Sequence, residues 1–456
     1  MSLDKLSKSS NKQNEKDSLI ASLMPILRML YSKEGRAVAV FCGDERVLDF
    51  VSEKQKFEKL SSFFDAEHDV YCKEELLFLD CIDETAKSFI NFEARKGYLP
   101  KIVGIKDLGF VALGDNKENA EMTKAMFLGV INQASNPIPI EGSRAGQSKN
   151  ILSADNTDTN IADISTTDTN TTDTNIAGRN TTKRLGGKIA IVTGGAQGFG
   201  KGIATELVKE GAYVVIADIN SQGATSCSEE LNNTYGKYAT IALEVDVTCE
   251  ESVEKMVNET VINYGGLDIL IANAGVLKAG SVFEMTKDSF DFVTSVNYTG
   301  YFLCAKYAAG IMKIQNQYGL SYLTDIIEIN SKSGLEGSNK NFAYAGSKFG
   351  GVGLTQSFAL EFIEYGIKVN AICPGNLLDG PLWSDPEKGL FRQYLDAGKV
   401  KGAKTISDVR KYYEGRVPMG RGCEVLDVAR AIFYIVEQQY ETGQAIPVTG
   451  GQVMLG

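Results

Sequence analysis

A glycine-rich turn between two apolar runs limits the fold of this chain more than any other feature. Residues 188–218 read KIAIVTGGAQGFGKGIATELVKEGAYVVIAD, so two apolar, β-branched runs enclose a helical stretch. Parallel strands need a long crossover connection, and a strand, turn, helix and strand in succession supply one. Further apolar runs alternate with helical stretches as far as residue 456. The pattern predicts an α/β fold, a doubly wound parallel sheet with helices on both faces.

The turn itself has the composition of a phosphate-binding site. Gly194, Gly198 and Gly200 stand where the helix opens. Glycines let the backbone approach a pyrophosphate, and a helix N-terminus offers unpaired N–H groups and a favourable dipole. Asp218 ends the second run, where a carboxylate can accept hydrogen bonds from the ribose of NAD. This predicts a Rossmann-type NAD site. NADP is the less favoured alternative, because no Arg or Lys stands near Asp218 to bind its 2′-phosphate.

A polar tract divides the chain into two parts. The unit Thr-Asp-Thr-Asn recurs between residues 157 and 175. A segment of this composition cannot bury enough apolar area to offset its chain entropy. We therefore predict a disordered, flexible linker at 135–183, a small α/β domain at 1–134 and the dinucleotide-binding domain at 184–456.

The front domain shows helices and strands of its own. A helical pattern is expected to begin at Asp17 or Ser18, and RAVAVFCG reads as a buried strand. LPKIVGIKDLGFVALG predicts two strands around a turn at 106–107. A second helix follows, and Asp115 with Glu118 is expected to cap it.

Charge and composition exclude several kinds of partner. The net charge of −11 and the pI near 5.0 argue against a nucleic acid or an anionic membrane surface. The start of the sequence lacks the apolar core of a secretory signal, and no run is long enough to span a bilayer. The cysteines form no CxxC pair, and His68 is the only histidine. We expect a cytoplasmic protein with free thiols and no metal site.

The stretch NFAYAGSKFGG at 341–351 places a phenol and an amine one helical turn apart. Tyr344 and Lys348 are four residues apart and so share one helix face. An ammonium beside a phenol favours the phenolate, which lets the phenol exchange a proton near neutral pH. The small residues at 345–347 leave room for a substrate and a nicotinamide ribose. On its own, this spacing would more often be a surface pair.

Residues 184–456 resemble the short-chain dehydrogenases/reductases. The motifs that carry the resemblance occur in that family's order: TGGAQGFG (193–200), Asp246-Val247, NAG (273–275), Asn297, Ser331, YAGSK (344–348) and PG (374–375). The resemblance implies reversible hydride transfer between NAD and an alcohol. Members of this family are commonly tetrameric or dimeric, so a homotetramer or homodimer is expected.

The resemblance also implies the roles of individual residues. Tyr344 is the general acid/base, Lys348 its activator and Ser331 the substrate-orienting hydroxyl, while Asn297 anchors a proton-relay water. Ser331 lies thirteen residues before Tyr344, the family's spacing, and Ser333 is the alternative. The residues expected to bind the cofactor are Gly194, Gln197, Gly198, Phe199, Gly200, Asp218, Ile219, Asp246, Val247, Asn273, Ala274, Gly275, Tyr344, Lys348, Pro374 and Gly375.

Three later segments restrict the class of substrate that is expected. PGNLLDGPLW, VPMGRGC and TGQAIPVTGGQVM resemble the sorbitol-6-phosphate 2-dehydrogenases, a subgroup of that family. This implies a sugar-alcohol phosphate and a ketose phosphate, with D-sorbitol 6-phosphate and D-fructose 6-phosphate expected. Asp379 replaces a Thr found in many members, which puts the usual contact to the cofactor carboxamide in doubt. The expected substrate contacts are Lys332, Asn376, Asp379, Arg392 and Arg421, and further candidate cations are Lys340, Lys388 and Arg416.

Other interpretations stay open at this level. The enzyme could be another short-chain dehydrogenase, acting on an unphosphorylated polyol or a 3-oxoacyl substrate. A sugar-phosphate-binding scaffold protein is a second alternative, disfavoured by the complete Asn–Ser–Tyr–Lys set. EHDVYC (67–72) and residues 98–127 faintly resemble class II aldolase (adducin-type) domains, whose metal-binding histidines are missing here. The front domain would then be a degenerate, non-catalytic relative.

Overall fold

The computed structural model describes residues 3–32, 36–136, 183–319, 321–396 and 398–454. The linker predicted at 135–183 lies, except at its two ends, outside the described residues. The described residues form two sheets, one on each side of that segment.

The first sheet belongs to the front part of the chain. Its elements are α1 (Leu3–Tyr31), β1 (Val38–Cys42), α2 (Glu45–Phe50), α3 (Lys54–Glu58), α4 (Ala66–Tyr71), β2 (Leu77–Leu79), α5 (Thr85–Lys96), β3 (Ile102–Ile105), β4 (Gly109–Gly114) and α6 (Lys117–Ser135). The strand order is β1-β4-β3-β2, in which β2 and β3 are parallel and the other pairs antiparallel. A tight turn joins β3 to β4, as its sequence predicts, and Asp107 adopts a positive φ of 59° there.

The predicted starts of the two front helices are wrong. Helix α1 begins at Leu3, well before Asp17 and Ser18. Helix α6 is capped by Asn116, whose side chain accepts a hydrogen bond from the Asn119 backbone N–H at 2.8 Å. An Asn side chain caps a helix as well as Asp does, and the predicted cap at Asp115 is one residue too early.

The second sheet is the predicted doubly wound parallel sheet. Its elements are β5 (Ile189–Thr193), α7 (Gly198–Lys209), β6 (Tyr213–Asp218), α8 (Ser221–Tyr235), β7 (Thr240–Glu244), α9 (Glu250–Tyr264), β8 (Ile269–Ala272), α10 (Lys287–Thr294), α11 (Gly300–Asn316), β9 (Thr324–Ile329), α12 (Phe342–Phe362), β10 (Ile367–Pro374), α13 (Pro381–Ser384), α14 (Leu390–Asp396), α15 (Ile406–Glu414), α16 (Val425–Glu437) and β11 (Ala445–Val448). The order is β11-β10-β9-β8-β5-β6-β7, with every pair parallel. This confirms the predicted α/β Rossmann-type fold.

The strand order creates a crevice at one edge of this sheet. The chain leaves β5 toward β6 on one side and later returns to β8 on the other. In open parallel sheets, ligands bind outside the carboxyl ends of the strands at such a switch point. The glycine turn after β5 and the segment after β8 both lie at this edge.

The two parts of the chain share one buried core. Ile20, Leu23 and Leu27 of α1 belong to the same apolar cluster as Val261 and Met312 of the second part. Helix α1 therefore covers α9 and α11, and the front domain is fixed to the dinucleotide-binding domain by apolar burial.

A buried ion pair reinforces this junction. The guanidinium of Arg28 donates to both carboxylate oxygens of Asp268, at 3.0 and 2.8 Å, and both side chains are fully buried. Arg28 also donates to the Ala37 carbonyl oxygen and to Gln315 Oε1. Asp268 in turn accepts from the Ile189 N–H at the start of β5. The pair thus connects the front domain to the beginning of the central strand.

Candidate active site

The glycine turn has the geometry of a dinucleotide cradle. A Cβ on Gly200 would lie 2.0 Å from the Gly194 carbonyl oxygen, so only glycine fits. Gly194 and Gly198 have positive φ values of 64° and 57°, and a Cβ on Gly198 would meet no atom within 4 Å. Helix α7 begins at Gly198, so its N-terminal N–H groups face this open space. The arrangement fits the pyrophosphate of a dinucleotide.

Asn273 ties the turn to the end of β8. Its side-chain amide donates to the carbonyl oxygens of Thr193 and Gly194, at 2.9 and 3.1 Å. The hydroxyl of Thr193 accepts from the backbone N–H groups of Asn273 and Ala274. These bonds hold the two sides of the crevice at a fixed separation. Asn273 therefore positions the cradle as well as lining it.

Two carboxylates stand where β6 and β7 end. Asp218 accepts from the N–H groups of Ala196 and Asn220, at 3.0 and 2.9 Å, which fixes it against the glycine turn. Asp246 accepts from the N–H and hydroxyl of Thr248. Both side chains line the cleft, Asp218 together with Ile219 and Asp246 together with Val247.

Tyr344 and Lys348 lie one turn apart in α12 and both line the cleft. Lys348 is buried, and its ammonium donates to the Ile329 carbonyl oxygen at 2.8 Å. Ser331 follows β9 and caps a short 3₁₀ turn, where its hydroxyl oxygen accepts from the Ser333 N–H. Ser331, Ser333 and Tyr344 all line this cleft, so both serines stay candidates for the hydroxyl that orients the substrate.

Asn297 lies in a π-helical turn, Ser295–Thr299, between α10 and α11. Its side-chain amide donates to the Val276 carbonyl oxygen and to Ser347 Oγ, and its Oδ1 accepts from the Val276 N–H. Single π turns inside helices are often found at functional sites because they redirect one side chain. Here the turn directs Asn297 into a small cavity that Lys348 also lines.

Sequence reasoning missed Glu328 and Asn330 of the segment leading to Ser331. Glu328 is 1 % exposed and lies 3.7 Å from the Lys348 ammonium. Asn330 donates to Glu328 Oε2 and to the Lys348 carbonyl oxygen, and its own Oδ1 accepts from the Ser331 N–H. The glutamate in the apolar run TDIIEIN was the available signal, since a charge inside a buried strand requires a partner.

One cleft brings most of the expected site residues together. It encloses about 1330 Å3, more than the roughly 300–1,000 Å3 of a typical small-ligand pocket, which leaves room for a substrate beside a dinucleotide. Of the expected residues, it is lined by Gly194, Gln197, Gly198, Phe199, Asp218, Ile219, Asp246, Val247, Asn273, Ala274, Gly275, Ser331, Lys332, Tyr344, Lys348, Pro374, Gly375 and Asn376. Gly200 and Asn297 are placed directly behind this lining.

The structure does not bring three of the expected substrate residues into the cleft. Asp379 forms an ion pair with Arg410 at 2.7 Å, on the outside of the loop that follows β10. Arg392 pairs with Asp396 one turn along α14, and Arg421 makes a bidentate contact with Asp427. Each of these groups has its charge balanced by a neighbour.

Further cations and aromatic rings also line the cleft. The cations are Lys332, Lys388, Lys399 and Arg416, and the rings are those of Trp383, Tyr394 and Tyr413. The three rings pack on one another, with centroids between 5.0 and 5.8 Å apart. This aromatic wall, built from α13 to α15, packs within the segment that carries Lys388, Lys399 and Arg416.

The described ranges lack a membrane-spanning helix and a metal-binding cluster. No helix among them combines the length and hydrophobicity needed to cross a membrane. Within the same residues, no group of three or more His, Cys, Asp or Glu side chains is arranged to hold a metal ion. His68 contacts Asp65 and takes part in the cap of α4.

Comparisons with known proteins agree with this geometry. The sequence pattern of the short chain dehydrogenase family matches residues 188–385. The sorbitol-6-phosphate 2-dehydrogenase of Escherichia coli (strain K12) is 38% identical over 269 residues, which cover 59% of this chain and 99% of that protein. The resemblance of the front domain to class II aldolase domains remains a prediction.

Two solved structures resemble the same part of the chain. The sorbitol-6-phosphate 2-dehydrogenase of Erwinia amylovora has a TM-score of 0.54 and 38% identity, and 58% of this chain covers 100% of that one. The 3-ketoacyl-(acyl-carrier-protein) reductase of Brucella melitensis, solved with NADH, has a TM-score of 0.50 and 26% identity over 59% of this chain and 99% of that one. The family pattern at 188–385 and the match to 99% of a 38% identical relative agree with the glycine cradle and the Asn–Ser–Tyr–Lys set, and they show that this chain belongs to the short-chain dehydrogenases, an NAD(P)-binding oxidoreductase family.

Proposed function

We propose that this protein is an NAD-dependent oxidoreductase that interconverts a sugar-alcohol phosphate and a ketose phosphate. The proposed pair is D-sorbitol 6-phosphate and D-fructose 6-phosphate. The similarity to two sorbitol-6-phosphate 2-dehydrogenases supports this choice, and so do the cations that line the cleft, Lys332, Lys388, Lys399 and Arg416.

The observation that carries the proposal is the pair Lys332 and Arg416. Both line the cleft, and Lys332 directly follows Ser331 in the chain. Burial lowers the pKa of the Lys332 ammonium, and the nearby guanidinium of Arg416 acts in the same direction, whereas Glu336 opposes them. A partly dehydrated ammonium with a second cation nearby in the same cleft favours an anionic ligand. A phosphate at the far end of a six-carbon polyol would satisfy both.

The catalytic residues have separate tasks in this proposal. In the oxidative direction, Tyr344 as phenolate takes the proton of the secondary alcohol, and Ser331 donates a hydrogen bond to the same oxygen. Lys348 stabilises the phenolate by its positive charge, since its ammonium is held at the base of the cleft. The bound nicotinamide dinucleotide supplies the two-electron acceptor. Asn297 donates a hydrogen bond to Ser347 of α12, which fixes its side chain. It lines the same small cavity as Lys348, where a water molecule can connect to the ammonium.

The preference for NAD over NADP rests on Asp218. Its carboxylate is fixed at the adenosine end of the cleft by two N–H groups. A 2′-phosphate placed there would be repelled, and the residues at 195–197 and 219–220 include no Lys or Arg. The nearby Lys201 is paired with Glu230 at 2.6 Å.

The test is a comparison of polyols with and without phosphate. NADH formation is measured with sorbitol 6-phosphate, mannitol 1-phosphate, galactitol phosphate and free sorbitol. We expect kcat/KM to be highest for sorbitol 6-phosphate and at least 100-fold lower for free sorbitol, the loss of about two charge-assisted hydrogen bonds. Equal values for sorbitol and its phosphate would contradict the proposal.

Variants of the cleft locate the phosphate. Lys332→Met and Arg416→Met are expected to raise KM for sorbitol 6-phosphate, each about tenfold or more, with no comparable effect on free sorbitol. The matched control is Arg392→Met, which removes a cation that the structure pairs with Asp396 outside the cleft. An equal rise of KM in the control would show a general charge effect.

Self-association and a cytoplasmic location belong to the same proposal. Phe302 of α11 and Phe349 and Leu360 of α12 are 40, 47 and 84 % exposed. These neighbouring helices therefore offer an apolar surface that a second copy of the chain could cover, as a homodimer or homotetramer. Light scattering with size-exclusion chromatography would measure the mass, and a monomer at micromolar concentration would contradict this part.

A further inference from the structure

Glu328 is a charged residue in an otherwise apolar strand. Its neighbours in β9 include Ile326, Ile327 and Ile329, and the sheet covers it on both sides with Ala272 and Ala371. Its side chain is fully buried. Burying a carboxylate in such a place is costly unless another group compensates its charge. The residues around it therefore show what the carboxylate does.

One oxygen of this carboxylate is satisfied and the other is free. Oε2 accepts from Asn330 Nδ2 at 2.7 Å. Oε1 lies 3.7 Å from the Lys348 ammonium, beyond a hydrogen bond, and accepts none from the described residues. A Cβ on Gly351 of α12 would lie 2.3 Å from Oε1, so a glycine keeps the space that this oxygen needs.

A small cavity separates the free oxygen from the catalytic residues. Glu328, Lys348, Asn297 and Tyr301 line it, and its volume is about 10 Å3. That is roughly enough for one water molecule, provided that it has two or more polar partners. A water there can accept from the Lys348 ammonium and donate to Oε1, which satisfies both groups.

Three elements around Glu328 each bring one titratable group close to it. Lys348 approaches from α12, Tyr301 from α11 and Cys373 from β10. Burial raises the pKa of the Tyr301 phenol, and it raises the pKa of the Cys373 thiol to about 12, so both are neutral at physiological pH. Burial also raises the pKa of the Glu328 carboxyl above its ordinary value, although the charge of Lys348 and the hydrogen bond from Asn330 reduce that rise. Lys348 is thus the one charge among these groups that can balance the carboxylate.

We infer that Glu328 is a positioning residue for proton transfer, an ionised counter-ion that holds the Lys348 ammonium directly and through a water in this cavity. Its negative charge offsets part of the Lys348 charge that Tyr344 experiences. Glu328 therefore sets the pH range in which the phenol exchanges its proton. The inference rests on the catalytic roles proposed for Tyr344 and Lys348, and it does not depend on which alcohol is the substrate.

The decisive variant is Glu328→Gln, which keeps an oxygen for Asn330 and removes the charge. We expect the acid limb of kcat/KM for alcohol oxidation to move to lower pH by about one unit, because one unit charge several ångström away has an effect of that order. The 13Cζ NMR titration of Tyr344, assigned with Tyr344→Phe, should move in the same direction. This second readout needs no substrate, so it separates a failure of this inference from a failure of the proposed reaction.

Two comparisons keep the inference falsifiable. Tyr301→Phe changes the same cavity without changing its charge, and it is expected to leave the Tyr344 titration within about 0.2 units of the parent protein, since no charge is lost. If Glu328→Gln does not fold, 13Cδ NMR of glutamate-labelled parent protein reports the state of Glu328 directly. Coincident Tyr344 titrations in Glu328→Gln and the parent, or a protonated Glu328 at pH 7, would overturn the inference.

Discussion

Removing Arg28 tests whether the front domain and the dinucleotide-binding domain fold as one unit. The guanidinium is fully buried and makes four hydrogen bonds to described residues, two of them to Asp268. In Arg28→Met the side chain keeps its approximate length, but Asp268 loses its bidentate ion-pair partner and keeps only the weaker effect of the Lys188 charge. Breaking a buried pair on one side costs about 3–5 kcal/mol, because the remaining charge is left uncompensated.

The structure places the expected cost at the lower end of that range. Asp268 still accepts from the Ile189 N–H, the Gln315 side chain and the Tyr322 hydroxyl, at 2.7, 2.8 and 2.9 Å. Because these bonds remain, we expect Arg28→Met to lower the free energy of unfolding by about 3 kcal/mol. The carbonyl oxygen of Ala37, which accepts from Arg28 Nε, adds to the cost if no water reaches it.

Urea unfolding followed by two signals measures this effect. The fluorescence of Trp383, the only tryptophan, reports on the dinucleotide-binding domain, and far-ultraviolet circular dichroism reports on both sheets. Arg46→Met is the matched control, since Arg46 and its partner Asp44 are 57 and 35 % exposed and such pairs contribute about 1 kcal/mol or less. A loss of less than about 1 kcal/mol in Arg28→Met would refute the reasoning, because a buried pair would then behave like a surface pair.

The pH dependence of this loss has a definite sign. Burial alone would raise the pKa of the Asp268 carboxyl, but the charge and hydrogen bonds of Arg28 lower it below its usual value. A lowered value means that Asp268 contributes stability above the unfolded-state pKa and loses it as the pH falls through the folded-state value. Without Arg28 the carboxyl takes up a proton more readily. The difference between parent and Arg28→Met should therefore be full at pH 7 and shrink below about pH 4.

Three further predictions concern the cleft. Gly200→Ala puts a Cβ 2.0 Å from the Gly194 carbonyl oxygen, so the turn must move. Fluorescence titration should then show that NADH binds at least tenfold more weakly. The control is Gly129→Ala, where a Cβ would meet nothing within 4 Å and NADH binding should be unchanged. Tyr344→Phe should lower kcat by about 100- to 10,000-fold, the usual contribution of a general acid/base, with NADH affinity within about twofold of the parent; preserved turnover would contradict the assigned role. Asp218→Asn removes the charge that would repel a 2′-phosphate and should raise the ratio of NADPH to NADH affinity, whereas an unchanged ratio would show that another residue sets the preference.

Local sequence patterns determined the parallel sheet and the positions of its main motifs. The alternation of apolar runs with helical stretches is a property of neighbouring residues, and so is the spacing that puts Tyr344 and Lys348 on one face of α12. Gly194 and Gly198 adopt positive φ values that favour glycine, and at Gly200 a Cβ would lie only 2.0 Å from the Gly194 carbonyl oxygen. Such features need no knowledge of distant parts of the chain.

The tertiary structure decided which charges meet. Arg28 and Asp268 are 240 residues apart, and Glu328 reaches Lys348 because Gly351 of α12 leaves space for its carboxylate. Lys332 faces the cleft, whereas Arg392 is paired away from it, although both looked equally suitable as phosphate ligands in the sequence. A charged side chain takes whichever partner the packing of remote elements brings within a few ångström, and one-dimensional spacing carries no information about that partner.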